Sequence, residues 1–102
     1  QTSLTLHPTQ DPDIYDTDVF LVFQNVNSMV HVYRDYYNPS SVEFPYLYAP
    51  LGLQCTVVSI GVKDGKFYAS FTPITIGNNQ TVNFTLTEMT TAAFKTQLDA
   101  LN

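Results

Sequence analysis

The residues best equipped for nucleophilic or metal chemistry are one cysteine and two histidines. Cys55 lies in an apolar run, where a free cysteine usually behaves as a small hydrophobic side chain, whereas a reactive thiol needs electropositive and partly exposed surroundings. His7 and His31 fall on different predicted strands, and no paired spacing completes a zinc site. We expect His31 to be a partly buried strand residue facing Val22. These residues predict neither a catalytic centre nor a cofactor.

Four aspartates within eight positions of an N-terminal loop raise the possibility of calcium, because hard cations bind several carboxylate oxygens. The spacing departs from an EF-hand loop, which has a glycine at its sixth position and a bidentate glutamate where Val22 stands here. A solvated acidic loop with local turn hydrogen bonds is the favoured interpretation, and no metal is expected. The weaker, calcium-binding interpretation would use Asp11, Asp13, Asp16 and Asp18.

The motifs of common enzyme classes are absent from the sequence. It contains no Gly-x-Ser-x-Gly elbow, phosphate-binding glycine loop or dinucleotide fingerprint. Only two of the nine acidic residues are glutamates, and nothing marks a carboxylate pair for glycoside hydrolysis. We therefore predict that the chain is not an enzyme, and an enzyme of unrecognised type is the third of three functional hypotheses.

A group of tyrosines carries a sharper binding hypothesis. Tyrosine combines a flat apolar ring with a hydrogen-bonding hydroxyl, so a strip of them on a sheet could stack on sugar rings or pack against a protein. The alternative, which we favour, is that several fill the core, because the chain has no tryptophan. The candidates for a binding surface are Tyr33, Tyr36, Tyr37, Tyr46 and Tyr48.

Composition and charge narrow the class of protein. At 102 residues the chain is expected to form one domain over 1–102. Its net charge of −5 with only four basic residues argues against nucleic acid as a partner. Low charge and many aromatic residues favour strands. No apolar run approaches the roughly 18 residues of a membrane span, so we expect no membrane insertion.

Residue usage also bears on the compartment. Few lysines and many serines, threonines and asparagines favour an exported protein that is secreted, periplasmic or displayed at the cell surface. The single cysteine forms no internal disulfide, whereas small exported eukaryotic domains usually carry pairs, so a bacterial origin is favoured. The chain begins at Gln1 without a methionine, which suggests a processed mature form or an excised domain.

A central β-hairpin is predicted around Asp64-Gly65, because a type I′ turn needs two residues that tolerate positive φ. A two-residue loop there gives a register in which the apolar pairs share one face, and we expect that face to turn toward the core. The apolar pairs are Val62/Phe67, Ile60/Ala69 and Val58/Phe71, while Gly61/Tyr68 and Ser59/Ser70 lie on the other face. A change of apolar phase between Val57 and Val58 indicates a bulge, or burial on both sides.

Further strands are predicted on either side of that hairpin. Residues 2–7 alternate as a first strand. Residues 19–24 and 29–34 form a second hairpin, with Phe23 opposite Val30 and Leu21 opposite Val32, whose other face is also apolar. The second hairpin is therefore either central in its sheet and covered on both faces, or it exposes one apolar face to a partner.

Pro45 and Pro50 make any strand within residues 35–50 short and edge-like. We expect Pro73 to break the strand before it, and a third hairpin to pair Ile74 and Ile76 with Phe84 and Val82.

The end of the chain changes to a helical period. Phe94, Leu98 and Leu101 are spaced i, i+4 and i+7 on one face, and Thr90 is suited to be the N-cap. We predict a helix over about 90–101. A helix this short is marginal alone, so it should dock on the sheets or lead into another domain.

From about residue 48 to 101 the chain resembles the small secreted β-sandwich domains of Bacteroidetes, in the transthyretin-like or carboxypeptidase-regulatory-like group. The resemblance rests on the residues at 61–68, 74–76 and 82–86. It implies a sandwich of about seven strands with an accessory or binding role and no catalytic motif. Together with the strand pattern, it leads us to expect an all-β, antiparallel, Ig-like or transthyretin-like β-sandwich with a short C-terminal helix.

The functional expectation is a non-catalytic extracytoplasmic domain with a structural or protein-interaction role. Its partner would be another protein or a second copy of the chain. The second hypothesis is a carbohydrate-binding module that uses the surface tyrosines.

Overall fold

The computed structural model describes residues 2–8, 11, 13–23, 28–34, 42–47 and 51–101. Most of them belong to β-strands, in agreement with the all-β prediction, and a short helix follows near the C-terminus. The elements are β1 (Thr2–Pro8), β2 (Tyr15–Phe23), β3 (Ser28–Arg34), β4 (Val42–Leu47), β5 (Gln54–Lys63), β6 (Lys66–Thr75), β7 (Gln80–Phe84), β8 (Thr87–Glu88) and α1 (Thr91–Asp99).

The strands form two sheets. The smaller sheet has the order β4-β1-β7, and the larger one has the order β3-β2-β5-β6-β8. All pairs are antiparallel except β1 with β7, which run parallel. The expectation of purely antiparallel pairing is therefore wrong for this pair. A parallel pair needs a long crossover between its strands, and here almost the whole chain provides it.

Apolar residues from both sheets meet in one hydrophobic cluster. Leu4 and Leu6 of β1 are completely buried, as the alternation of the first segment predicts. The cluster stabilises the fold mainly by removing apolar surface from water, at roughly 25 cal/mol per Å². Its members are Leu4, Leu6, Val19, Leu21, Phe23, Cys55, Val57, Ile76, Val82, Phe84 and Leu86.

The β5–β6 hairpin has the predicted register from Lys63 opposite Lys66 to Val58 opposite Phe71, and the same register continues beyond the predicted part to Gln54 opposite Thr75. The turn residues Asp64 and Gly65 have φ of 51° and 72°, as a type I′ turn requires. No register shift interrupts the pairing, so the change of apolar phase in β5 reflects burial on both faces and not a bulge within this hairpin.

The predicted orientation of the β5–β6 hairpin is wrong. The face that meets the smaller sheet carries Cys55, Val57 and Ser59, all at most 1% exposed. The more apolar face, with Val58 and Phe71, is the outer face of the larger sheet. Local pairing fixes which residues share a face, but not which of two buried faces meets the second sheet.

The β2–β3 hairpin forms, but its predicted register is wrong by two residues. Leu21 lies opposite Val30, and Phe23 lies opposite Ser28. The predicted pairing of Phe23 with Val30 would require a loop over 25–28. A shift of two leaves every side chain on its original face, so the hydrophobic pattern does not distinguish the two registers.

The predicted third hairpin does not form. After β6 the chain crosses to the smaller sheet, where β7 pairs with β1. Alternation correctly predicts that Val82 and Phe84 are buried, but it does not specify the neighbouring strand. Pro73 does not end β6, which continues to Thr75. Within the described residues, β6 meets β8 only at Tyr68 and Ala69, so the edge at Pro73 needs no N–H donor there.

The C-terminal helix begins as predicted. The Thr90 hydroxyl accepts a hydrogen bond from the Ala93 N–H at 3.0 Å, which caps α1. Phe94 lies on β6, with its ring centroid 5.1 Å from that of Phe67 and 5.3 Å from that of Phe71. The helix therefore docks on the outer face of the larger sheet. Among the described residues, no helix has the length and hydropathy needed to cross a membrane.

Candidate functional site

Cys55 lies in the core and is about 1% exposed. Burial raises the pKa of its thiol to about 11, so the thiolate is a minor form at neutral pH. A cleft of about 340 Å³ is lined by Gln54, Cys55, Pro73, Ile74 and Thr75. This lining has no histidine or carboxylate to activate a nucleophile.

The four aspartates of the N-terminal loop have separate surroundings. Asp11 accepts hydrogen bonds from the Asp13 N–H and from Lys63 Nζ, both at 3.1 Å. Asp18 contacts His31 Nε2 at 3.1 Å. Asp16 is exposed with φ of 53°, in a bulge of β2. Within the part of the chain that the structure describes, no three acidic, histidine or cysteine residues form a group suited to a metal.

The bulge at Asp16 has a structural role that the sequence did not reveal. There, two residues of β2 oppose Gly61 of β5, and the Thr17 side chain is buried over the glycine. A Cβ atom at position 61 would overlap the Ile14 side chain and lie 3.2 Å from both Thr17 Cγ2 and Leu86 Cδ2. The acidic loop is thus anchored to the core through Ile14, and its carboxylates lie outside the core.

The tyrosine candidates are divided between different parts of the molecule. Tyr33 lies on β3 of the larger sheet, opposite the core residue Val19, and Tyr46 lies on β4 of the smaller sheet. The remaining candidates, Tyr36, Tyr37 and Tyr48, lie outside the described residues. The backbone therefore assigns the two placed candidates to the edges of two separate sheets.

A row of residues crosses the outer face of the larger sheet. His31, Phe20, Val58 and Phe71 lie opposite one another on four adjacent strands, and Phe94 of α1 lies against Phe71. From Val58 toward β3 the exposure increases: Val58 is 1% exposed, Phe20 is half-buried, and His31 is exposed. At the other end of the row, Phe71 and Phe94 are half-buried against each other. Among the described elements, α1 covers that end, and we call the β3 end the open end.

The open end of the row is an apolar surface with a polar margin. The Phe20 and His31 rings lie 4.7 Å apart at an angle of 30°, and His31 also contacts Asp18. Met29, two residues before His31 on the same face of β3, is 54% exposed. The prediction that His31 faces Val22 is wrong, because the two-residue register shift places His31 opposite Phe20 on an edge strand. The His31 side chain is 35% exposed, so it is partly buried as predicted.

Strand β3 is also an edge of the sheet, since among the described strands it has only β2 as a neighbour. Its pairing is regular from Ser28 to His31. Between His31 and Tyr33 the register shifts, and Val32 is the extra residue of a bulge. We call Phe20, Met29, His31 and the outer backbone edge of residues 28–31 the β2–β3 surface.

A second concave region lies where α1 begins. An open groove of about 540 Å³ is lined by Gly65, Lys66, Phe67, Glu88, Met89, Thr90 and Thr91. Lys66 Nζ and Glu88 Oε1 lie 3.3 Å apart across it, and both side chains are mostly exposed. An exposed ion pair of this kind contributes little energy, and no buried polar group in the lining points to a ligand.

Comparison with known proteins gives no relative: no family model, curated protein or solved structure matches the chain. The functional argument therefore rests on the geometry of this molecule. Among the described residues, the β2–β3 surface combines an edge strand, an exposed methionine and a pair of stacked rings. The other described large apolar residues that are exposed are Tyr15 (47%) and Leu51 (58%). The sequence contained a signal for it, namely the second apolar face of residues 19–34.

Proposed function

We propose that this chain is a non-catalytic extracytoplasmic β-sandwich domain that binds another protein through the β2–β3 surface. The single observation that carries the proposal is that Met29 is 54% exposed next to the stacked Phe20 and His31 rings, on an edge strand. Exposed apolar groups bordered by polar ones are typical of protein-interaction sites. An edge strand adds backbone hydrogen bonds that a partner strand could satisfy.

The sandwich architecture is part of the proposal. The hydrophobic cluster that joins β1 and β7 with β2 and β5 supports two sheets packed face to face. The resemblance to transthyretin-like domains stays a prediction, as do export and a bacterial source. The parallel β1–β7 pair and the docked helix are departures from the simplest form of that group.

The experiment is site-specific photo-crosslinking in cells that express the chain natively. A photoreactive phenylalanine derivative replaces Met29 in one version and Thr81 in the other. Thr81 is a matched control, because it is exposed on β7 of the smaller sheet, away from the β2–β3 surface. We expect discrete protein adducts from position 29 and none from position 81.

Two results would contradict the proposal. Equal labelling from both positions would show that position 29 contacts proteins only at random. Specific retention of the purified chain on a polysaccharide, undiminished by Met29→Glu, would favour the carbohydrate-binding hypothesis instead.

A further inference from the structure

The geometry points to a second copy of this chain as the partner at the β2–β3 surface, an inference that rests on the proposed function. We propose that two copies join edge to edge, with their β3 strands antiparallel about a two-fold axis. The pairing would be centred on Val30, so that Met29 of each copy lies opposite His31 of the other.

The backbone of β3 suits this arrangement. Residues 28–31 form four consecutive regular pairs with β2 on one side, and no described strand occupies the other side. Natural edge strands usually prevent pairing with lysine, proline, inward-pointing charges or a bulge. Residues 28–33 contain no proline, lysine or carboxylate, and the bulge comes only at Val32. In its sequence, the regular part of the edge therefore carries none of these protections, and no described strand covers it.

The two-fold axis and the bulge together select the register. Directly opposite residues in an antiparallel pair share a face, so a continuous sheet with equivalent outer faces must be centred on a residue and not between residues. Centring on Met29 would extend the pairing into the loop before Ser28. Centring on His31 would place the bulge at Val32 inside the paired segment. Centring on Val30 uses the regular residues and leaves the bulge at the end.

The side chains at this register are complementary to themselves. The exposed Met29 of one copy would lie beside the partner's exposed His31 ring, which is stacked on Phe20. A thioether next to an aromatic ring is a favourable contact, and the two-fold axis makes it twice. Although the chain carries a net charge of −5, β3 itself has no carboxylate, so pairing brings no two carboxylates of β3 together.

The expected association is weak. Four residues of strand edge bury less area than the roughly 1,600 Å² of a standard stable interface. The dimer should therefore be reversible and depend on protein concentration. An association this weak becomes populated where the local concentration is high, for example where many copies are displayed on one surface.

The first experiment is sedimentation equilibrium of the 102-residue chain over a wide concentration range. We expect a monomer–dimer equilibrium, and Met29→Ala should raise its dissociation constant by about threefold to tenfold, because both thioether–ring contacts are lost. Thr81→Ala truncates an exposed side chain on the other sheet and should leave the constant unchanged. Circular dichroism spectra of both variants establish that each is folded.

The second experiment tests the register by cysteine pairing. An equimolar mixture of Met29→Cys and His31→Cys should form a disulfide-linked heterodimer under mild oxidation, since positions 29 and 31 face each other. Each variant alone should form far less. Cys55 does not interfere, because it is buried and its pKa is raised to about 11. Stronger linkage of Met29→Cys to itself would overturn the register centred on Val30.

The outcomes separate this inference from the proposed function. A chain that stays monomeric at all concentrations, but whose position 29 crosslinks to a different protein in cells, overturns self-pairing and leaves the protein-binding function standing. A monomer without any adduct from position 29 overturns both. Equal effects of Met29→Ala and Thr81→Ala on the dissociation constant would show that position 29 makes no specific contact, and would also overturn the proposed pairing.

Discussion

The two faces of the larger sheet differ in how they are covered. The inner face meets the smaller sheet, and even its small residues, Ser59 and Gly61, are buried. In the β5–β6 hairpin the outer face carries more apolar residues, and the described element that covers it is α1, in which no residue is fully buried. The cover is uneven: Thr56 and Val58 are at most 2% exposed, whereas Met29 at the β3 end is 54% exposed. The inner face is thus closed by a second sheet, while the described part of the outer face is closed only in part.

The difference also explains where close packing occurs. On the inner face, Ile14, Thr17 and Leu86 crowd around Gly61, where no side chain fits. On the outer face, contacts are made by the ends of aromatic side chains such as Phe94 on Phe67. In a closely packed interior, adding or removing even one methyl group lowers stability, whereas a half-buried helix can shift to accommodate the change.

The largest loss of stability is expected for a substitution on the inner face. Gly61→Ala should destabilise the fold by about 1–3 kcal/mol, because the added Cβ atom overlaps Ile14 and presses on Leu86 and Thr17. Urea denaturation measures the change in unfolding free energy.

The matched control is Gly77→Ala, since a Cβ atom at position 77 meets nothing within 4 Å. It should change the stability by less than about 0.5 kcal/mol or stabilise slightly. Equal losses at the two glycines would mean that the inner face is not tightly packed around position 61.

A smaller effect is expected on the outer face. Phe94→Ala should cost about 1–2 kcal/mol, because Phe94 is half-buried and loses its ring contacts with Phe67 and Phe71. Hydrogen exchange should show faster exchange of the α1 amides than of the β5 amides. The comparison variant is Thr96→Ala on the exposed side of α1, for which we expect little change. If exchange in α1 and β5 accelerated together, the helix would not be a separately stabilised cover.

The smallest effect on stability is expected for the contact between Asp11 of the acidic loop and Lys63 of β5. The Asp13 N–H and then the Lys63 ammonium hold the pKa of Asp11 below its ordinary value of 3.8, while Asp11 raises the pKa of Lys63 above 10.5. The contribution of Asp11 to stability is therefore present above pH 3.8 and is lost as pH falls through its lowered pKa. The contribution of Lys63 is present below pH 10.5 and is lost as pH rises through its raised pKa.

Lys63→Met tests this contact by NMR titration. The pKa of Asp11 should rise but remain below 3.8, because the Asp13 N–H still donates to the carboxylate. Lys66→Met removes another exposed lysine, whose contact is Glu88, and should leave the pKa of Asp11 unchanged. An unchanged pKa in Lys63→Met would mean that the 3.1 Å contact is not populated in solution.

Much of the local structure was predictable because short-range chemistry specifies it. Asp64-Gly65 predicted both the turn and the register of the longest hairpin, and Thr90 predicted the start of the helix. The β2–β3 register was not predictable, since two registers two residues apart bury the same side chains. The candidate site shows the same division: the second apolar face was visible in the sequence, but the position of His31 opposite Phe20 depended on the register.

The residues alone specify which side chains share a face, where the tight turn lies and where the helix begins, because these features depend on neighbours along the chain. Contacts between distant segments selected the rest: β7 joins the smaller sheet beside β1, Ser59 lies inside, and Phe71 lies under the helix. When both faces of a strand are apolar, hydrophobicity cannot rank them. The choice then falls to long-range packing, and here the space around Gly61 is where β2, β5 and the segment after β7 fit together.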